Sequence, residues 1–253
     1  MSGYGISIFD RLIEQQLLTP YLERAMVADK WPEEYTVTVD SRPYSGTADG
    51  YFHPSSHCLS SPRWLYYVIH PDTKDKMVYP KRTLQSAMTL AMGSALHAVV
   101  QTQFEMSGLI RREDIEIPLV DEKRGWRGHA DWRIKHPNGK RYGVEMKTMN
   151  SRSFRNLIAP KEFWVYQLNC YLDALDLDEG IILVAEAGYP YEFKEFHISR
   201  DDELLSKLYA KWDYVRECIA RNTPPESFCC SYGSSDMNTC RARFECHLKG
   251  TSG

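Results

Sequence analysis

Apolar residues recur along this chain in two rhythms, and the switches between them mark out an ordered set of elements. Residues 6–28 place Ile8, Phe9, Leu12, Ile13 and Leu17 at helical spacing, with a break or kink expected at Thr19-Pro20. Residues 40–58 are rich in Ser, Pro, Gly and Asp and read as loop. Ser61-Pro62 then opens a helix through RWLYYVIH, with proline near the first helical position. A longer helix is predicted from about Thr83 to Met106, followed by strands near 115–120, 126–135 and 141–148. A helix over 160–175, strands near 180–187 and 191–198, and a helix from Asp201 to Arg221 complete the pattern, which stops before Pro224-Pro225. Helix, three strands, helix and strand in that order describe one α/β core. The expected division is an N-terminal helical segment (1–82), the core (83–222) and a tail (223–253) that packs near the N-terminal segment.

Residues 128–148, GHADWRIKHPNGKRYGVEMKT, alternate apolar and polar positions on either side of Asn138-Gly139, the pattern of a β-hairpin. Asp131 is embedded among Ala130, Trp132 and Ile134, and Glu145 and Lys147 bracket Met146. Two carboxylates and an amine on adjoining strands are costly to desolvate unless something compensates them.

Composition is ordinary for a soluble globular protein. No apolar run approaches the ~20 residues that cross a bilayer, and the first residues, with Asp10, Arg11 and Glu14 behind a short apolar stretch, do not read as a secretory signal. A membrane role is therefore not expected. Seven cysteines, an odd count, argue against a disulfide framework and for thiols or metal ligands in a reducing compartment, so a cytoplasmic location is expected. The net charge of −3 hides an asymmetry: Lys123 to Lys161 holds eleven Lys or Arg against two acids, a surplus of nine, which leaves the remainder at −12. Those two acids are Asp131 and Glu145. A basic block around two isolated carboxylates suits a site that holds phosphates and a metal ion together, although a solvated basic face has the same composition.

Magnesium takes hard oxygen ligands, and carboxylates from two adjacent strands can converge on it. Lys147, two residues after Glu145, projects from the same strand face. There it can orient an attacking water and offset phosphate charge, or form an ordinary cross-strand ion pair. His97 stands in the apolar helical stretch Gly93-Ser94-Ala95-Leu96-His97, and Gln167 and Tyr171 share one face of the helix over 160–175.

The ordered set His97, Asp131, Glu145-x-Lys147 and Gln167-x-x-x-Tyr171 resembles the PD-(D/E)XK nuclease superfamily, most closely its RecB-like exonuclease branch, which includes CRISPR-associated and phage-encoded members. The resemblance spans roughly residues 90–187, each step on the element already read there. It implies a restriction-endonuclease-like α/β core, a mixed central sheet flanked by helices. It also implies one or two Mg²⁺ or Mn²⁺ ions held by His97, Asp131, Glu145 and the Met146 carbonyl. Lys147 would position the attacking water, with Gln167 and Tyr171 ordering that water or the scissile strand. Arg152, Arg155 and Lys161 would track the DNA backbone without reading bases. Trp132, Phe154 and Trp164 are candidates for stacking on a single strand, or core residues.

Several members of this branch hold a 4Fe–4S cluster with one cysteine before the core and three after it. The resemblance accordingly implies a cysteine-containing lobe in which Cys58, Cys230 (or Cys229), Cys240 and Cys246 ligate a cluster, with zinc as the alternative. Cys240 and Cys246 have the family spacing C-x5-C, whereas Met237 and Ser61 stand where relatives carry further cysteines. Cys170 and Cys218, within helical segments, read as small core residues. The activity implied is a metal-dependent exonuclease acting on single-stranded DNA or duplex ends in recombination, repair or phage DNA processing, with a recombination or replication protein as a possible partner. The alternatives are a non-catalytic DNA-binding or scaffold subunit of a helicase–nuclease or CRISPR spacer-acquisition complex, and a nuclease acting on RNA.

Overall fold

A computed structural model describes residues 16–27, 31–38, 49–79 and 81–248. Its strands are β1 (Ile115–Asp121), β2 (Trp126–Lys135), β3 (Arg141–Met149), β4 (Glu179–Glu186) and β5 (Phe193–Ser199), side by side in chain order. Its helices are α1 (Thr19–Val27), α2 (Pro54–His57), α3 (Pro62–Ile69), α4 (Leu84–Met106), α5 (Ser151–Arg155), α6 (Glu162–Leu175), α7 (Asp202–Ala220) and α8 (Ser235–Thr239). All sheet neighbours are antiparallel except β3 and β4. A parallel neighbour lies beyond the reach of a tight turn, and α5 and α6 make the crossover. The β2–β3 hairpin closes as expected around Asn138-Gly139, where Gly139 takes φ 87 and Asn138 Oδ1 accepts the Lys140 N–H.

One face of the sheet is covered by α1 and α4, where Leu18 (just before α1), Leu22, Val100 and Phe104 pack on Trp132, Val144, Ile181 and Leu183. The other is covered by α5 and α6, through Phe154, Trp164, Leu168 and Leu172 against Ile182 and Val184. β4 is thus enclosed on both faces, which is why its sequence is an unbroken apolar run rather than an alternation. A third cluster forms a lobe beside the sheet, where α3 and α7 pack with Phe52, Trp126, Cys58, Ala242 and Cys246. Phe52 stacks on Trp212 at 4.9 Å, and the Val78 N–H donates to the Arg241 carbonyl. The N- and C-terminal segments therefore meet in one cysteine-containing lobe, as expected.

Strand and helix limits from Leu84 to Ala220 fall within about two residues of those read from sequence. Near the N-terminus there is a difference. Residues 6–15 and 28 of the expected first helix lie outside the described residues, and the described helix starts at Thr19 instead of kinking there. The N–H groups of Leu17, Leu18 and Thr19, orphaned at a helix start, donate to the Glu195 carboxylate on β5. Within the expected loop 40–58, residues 40–48 lie outside the described residues, and α2 adds one helical turn. α5, one turn capped by the Asn150 side chain, is too short to show a period.

Candidate active site

Registered pairing of β2 with β3 runs from Lys135–Arg141 to Trp132–Val144. At the next step the Met146 N–H donates to Asp131 Oδ2 (2.7 Å), so a carboxylate takes the place of a ladder carbonyl. On the other side of β2, Ile115 faces Trp132 and Ile117 faces Ala130, which sets Glu116 opposite Asp131. Glu116, Asp131 and Glu145 thus form one row across three adjacent strands. Glu116 holds φ 48, a left-handed conformation that costs a non-glycine residue on the order of 1 kcal/mol.

α4 brings His97 to this row. A Cβ added at Gly93, one turn earlier, would lie 3.1 Å from Thr148 Oγ1, so the glycine lets the helix approach β3. His97 Nε2 lies 3.4 Å from Asp131 Oδ2, and its ring stacks on Trp132. Burial pushes the imidazole pKa down, but the bond to Asp131 and the charges of Asp131, Glu116 and Glu145 outweigh it, leaving His97 above its usual value. His97, Glu116 and Asp131 offer ligand atoms that all lie within 4.8 Å of one another.

Glu145 is 3 % exposed. Its Oε1 accepts from Lys147 Nζ (2.6 Å) and Gln167 Nε2 (2.7 Å), while its Oε2 is buried with no partner. Burial first, and the Asp131 charge second, raise its pKa to about 7 against the lowering pull of Lys147 and His97. A buried carboxylate with one idle oxygen, beside a second carboxylate, fits a site completed by a cation. Lys147 also donates to Gln167 Oε1 (2.9 Å), and Gln167 Nε2 reaches the Tyr171 hydroxyl (3.3 Å). Burial holds the Tyr171 phenol pKa well above its ordinary value, so it stays protonated. A Cβ at Gly128 would lie 2.9 Å from that hydroxyl, so this glycine makes room for Tyr171 over β2. Gln167 and Tyr171 are both buried behind Glu145, which suits positioning of Glu145 and Lys147 more than direct contact with water or substrate.

An open groove of about 950 Å³ runs along the row, lined by Gly93, His97, Glu116, Asp131, Lys147 and Lys161 among others. Lys161 lies over the Trp164 ring at its edge, while Arg152 and Arg155 are exposed on α5, which leaves the end of β3. Trp132 and Phe154 are core residues. The residue that motif reading did not single out is Glu116. Its signal lies in strand register, because only the pairing of β1 with β2 sets it beside Asp131.

The cysteines of the lobe have two sets of near neighbours. Cys58 interacts with the buried Cys170 thiol, and its carbonyl accepts from Lys211. Cys229, Cys230, Cys240 and Cys246 interact with one another in the tail, and burial, then Cys229, raises the Cys230 thiol pKa to about 11. Cys229, Cys230 and Cys246 line a cavity of about 660 Å³ with Arg63 and His247. His247 Nε2 lies 3.3 Å from Cys230 Sγ, and Arg63 Nε donates to Cys246 Sγ (3.2 Å). Ser61, at the family's upstream cysteine position, caps α3 through Trp64 N–H, and Met237 is buried with its sulfur accepting the Gly233 N–H. The four tail thiols are neighbours, and Cys58 shares the buried cluster of the lobe with Cys246, against which Cys240 also packs.

No family model and no curated protein matches this sequence. Solved structures do. The chain is similar to LHK-Exo, an alkaline exonuclease from Laribacter hongkongensis, at TM-score 0.51 and 14% identity over 68% of this chain and 89% of that one. It is similar to LHK-Exo in complex with dAMP at TM-score 0.53 and 13% identity over the same shares, 68% and 89%. SSO0001 matches over 95% of this chain and 98% of its own at TM-score 0.46 and 17% identity. At these identities the likeness is one of fold: the mixed five-stranded sheet with its flanking helices is a restriction-endonuclease-like α/β core. Among the described residues, no helix is long and apolar enough to cross a membrane.

Proposed function

We propose that this chain is a metal-dependent deoxyribonuclease of the PD-(D/E)XK superfamily, an exonuclease acting on single-stranded DNA or duplex ends. The observation that carries the reading is Glu145, a buried carboxylate with an idle oxygen, set beside Asp131, His97 and Lys147 on a core shared with an exonuclease. His97, Asp131, Glu145 and the Met146 carbonyl would hold Mg²⁺ or Mn²⁺. When bound, the ion supplies Lewis acidity to the phosphodiester and its attacking water. Lys147 orients that water through Nζ and offsets the charge that develops on the phosphate. Gln167 fixes Lys147 and Glu145 in one geometry, and Tyr171 backs Gln167. Lys161 at the groove edge, with Arg152 and Arg155, would bind backbone phosphates, and the dAMP bound to LHK-Exo supports a deoxynucleotide substrate.

The test is digestion of 5′- and 3′-labelled single- and double-stranded DNA, with an RNA control, in Mg²⁺, Mn²⁺ or EDTA. Mononucleotide release that needs the metal, and that Asp131→Ala and Lys147→Ala each abolish while DNA binding persists, is the expected result. Wild-type protein that binds DNA and cuts nothing would instead be a scaffold. We also propose a structural thiolate centre in the tail, zinc or iron–sulfur, drawn from Cys229, Cys230, Cys240 and Cys246.

A further inference from the structure

The turn between β4 and β5 is short, tied down and aromatic. The Glu186 N–H donates to the Glu192 carbonyl (2.9 Å) and the Tyr191 N–H to the Gly188 carbonyl (2.7 Å). Tyr191 holds φ 62, a left-handed conformation that is rare for a bulky residue. The Ala187 N–H donates to the Met149 carbonyl at the end of β3 (2.7 Å). A Cβ added at Gly188 would lie 2.8 Å from Ser151 Oγ, so the turn rests on the start of α5. α5 is anchored at its other end, where Lys194 Nζ of β5 donates to the Phe154 and Leu157 carbonyls (2.7 and 2.9 Å). On this fixed backbone Tyr189 is 85 % exposed and Tyr191 58 %. Single exposed aromatics are ordinary, but these two have a particular setting. Met149 follows Thr148, which lines the groove, and lies two residues beyond Lys147, roughly 7 Å along the strand. Arg152 and Arg155 are exposed on α5. Two tyrosines and two arginines therefore stand together at the end of β3 and β4, just outside the groove.

We infer that Tyr189 and Tyr191 form a stacking platform for the bases of single-stranded DNA, whose phosphates Arg152 and Arg155 hold beside the groove. For the strand's destination the platform rests on the nuclease reading, and it makes a single strand the substrate that the groove receives. The chemistry of the two residue types divides the work. An arginine meets a phosphate whether or not the base is paired, so the cations give affinity without a choice of strand. An aromatic ring needs an open base face, which a single strand offers at every nucleotide and a duplex only at its ends. Every base has such a face, so the platform is indifferent to sequence.

The experiment measures binding without asking for catalysis. Fluorescence anisotropy on the full chain, with Ca²⁺ in place of Mg²⁺ and probe integrity checked on a gel, gives the affinity for labelled oligo-dT and for a blunt duplex of the same length. Tyr189→Ala combined with Tyr191→Ala should weaken oligo-dT binding by about 10-fold or more, and duplex binding by less than about 2-fold. Phenylalanine at both positions should bind as wild type does, because the ring face and not the hydroxyl makes the contact. The slope of log K against log salt should be unchanged in the double alanine variant, whereas Arg152→Ala and Arg155→Ala should each flatten it by about 0.7 on oligo-dT. Both tyrosines are exposed, so the melting temperature should stay where it is. Unchanged oligo-dT affinity in the double alanine variant, equal losses on the two probes, or a phenylalanine variant as weak as the alanine one would each overturn the platform. The expected binding pattern with no strand cut in Mg²⁺ would leave the platform standing and remove the nuclease reading. Cleavage by wild type, with oligo-dT affinity unchanged in the double alanine variant, would do the reverse.

Discussion

Gln167 makes three side-chain bonds, to Glu145, Lys147 and Tyr171, and none of them requires a substrate. Its amide is matched to its neighbours: the oxygen accepts from an ammonium and the nitrogen donates to a carboxylate. Without it, Glu145 Oε1 would keep one partner and Lys147 would lose one of its two anchors. Gln167→Ala should therefore lower kcat by about 10- to 100-fold, with KM for DNA little changed. Steady-state kinetics on a labelled oligonucleotide at saturating Mg²⁺ measures this. A raised KM at unchanged kcat would mean that Gln167 holds the strand and not Glu145 and Lys147. The sequence made the Gln167–Tyr171 pair legible, because i,i+4 neighbours on a helix share a face whatever the fold. What the pair turns toward depended on α6 crossing over β3, which no local rule supplies.

At the scale of elements, periodicity located every strand of the sheet, since β2 and β3 are half-buried and alternate while β4 is doubly covered and does not. Register was the hidden quantity. Glu116 carries no motif, and it enters the site only because β1 pairs with β2 in one particular alignment. The same limit applied to the cysteines. Spacing singles out Cys240 and Cys246, whereas the neighbours of Cys58 are set by long-range packing: it meets Cys170 of α6, and its carbonyl accepts from Lys211 of α7. Regular structure is short in the tail. α8 and the turn over Phe244–Leu248 are each five residues long, below the length at which a helix sustains itself. Metal ligation by the tail thiols would add to the packing of Met237, Ala242 and Cys246. Protein purified anaerobically should contain zinc or iron, the latter with brown colour and absorbance near about 400 nm. Cys240→Ala should lose that metal and melt at lower temperature, while Cys58→Ala should retain it. Metal that leaves with Cys58 and stays with Cys229 replaced would restore the family arrangement.

The whole molecule is joined by the lobe in which N- and C-terminal segments meet, and His57 lies inside that junction. It is 2 % exposed, its Nδ1 accepts the His53 N–H at 2.9 Å, and its ring meets Trp64 edge-on. Burial above all, helped by the charges of His53, Arg241 and Lys211 and opposed by Asp49, lowers its pKa to about 3. The unfolded chain would protonate the same imidazole near about 6.5. Because the unfolded state takes up the proton first, the contribution of neutral His57 is fully present above that value and is lost as pH falls toward 3. By pH 4 the loss is on the order of 3 kcal/mol, a large share of an ordinary domain's stability. The measurement is urea unfolding of the metal-free protein at pH 7 and pH 4.5, for wild type and His57→Gln. Glutamine keeps an acceptor for the His53 N–H and carries no titrating group. His57→Gln should be the less stable protein at pH 7, by the packing it gives up, yet lose markedly less than wild type on acidification. Carboxylates that also titrate in this range are common to both proteins and cancel in the comparison. Equal losses in the two proteins would mean that His57 is protonated in the folded state, and that the lobe opens around it before the rest of the chain unfolds.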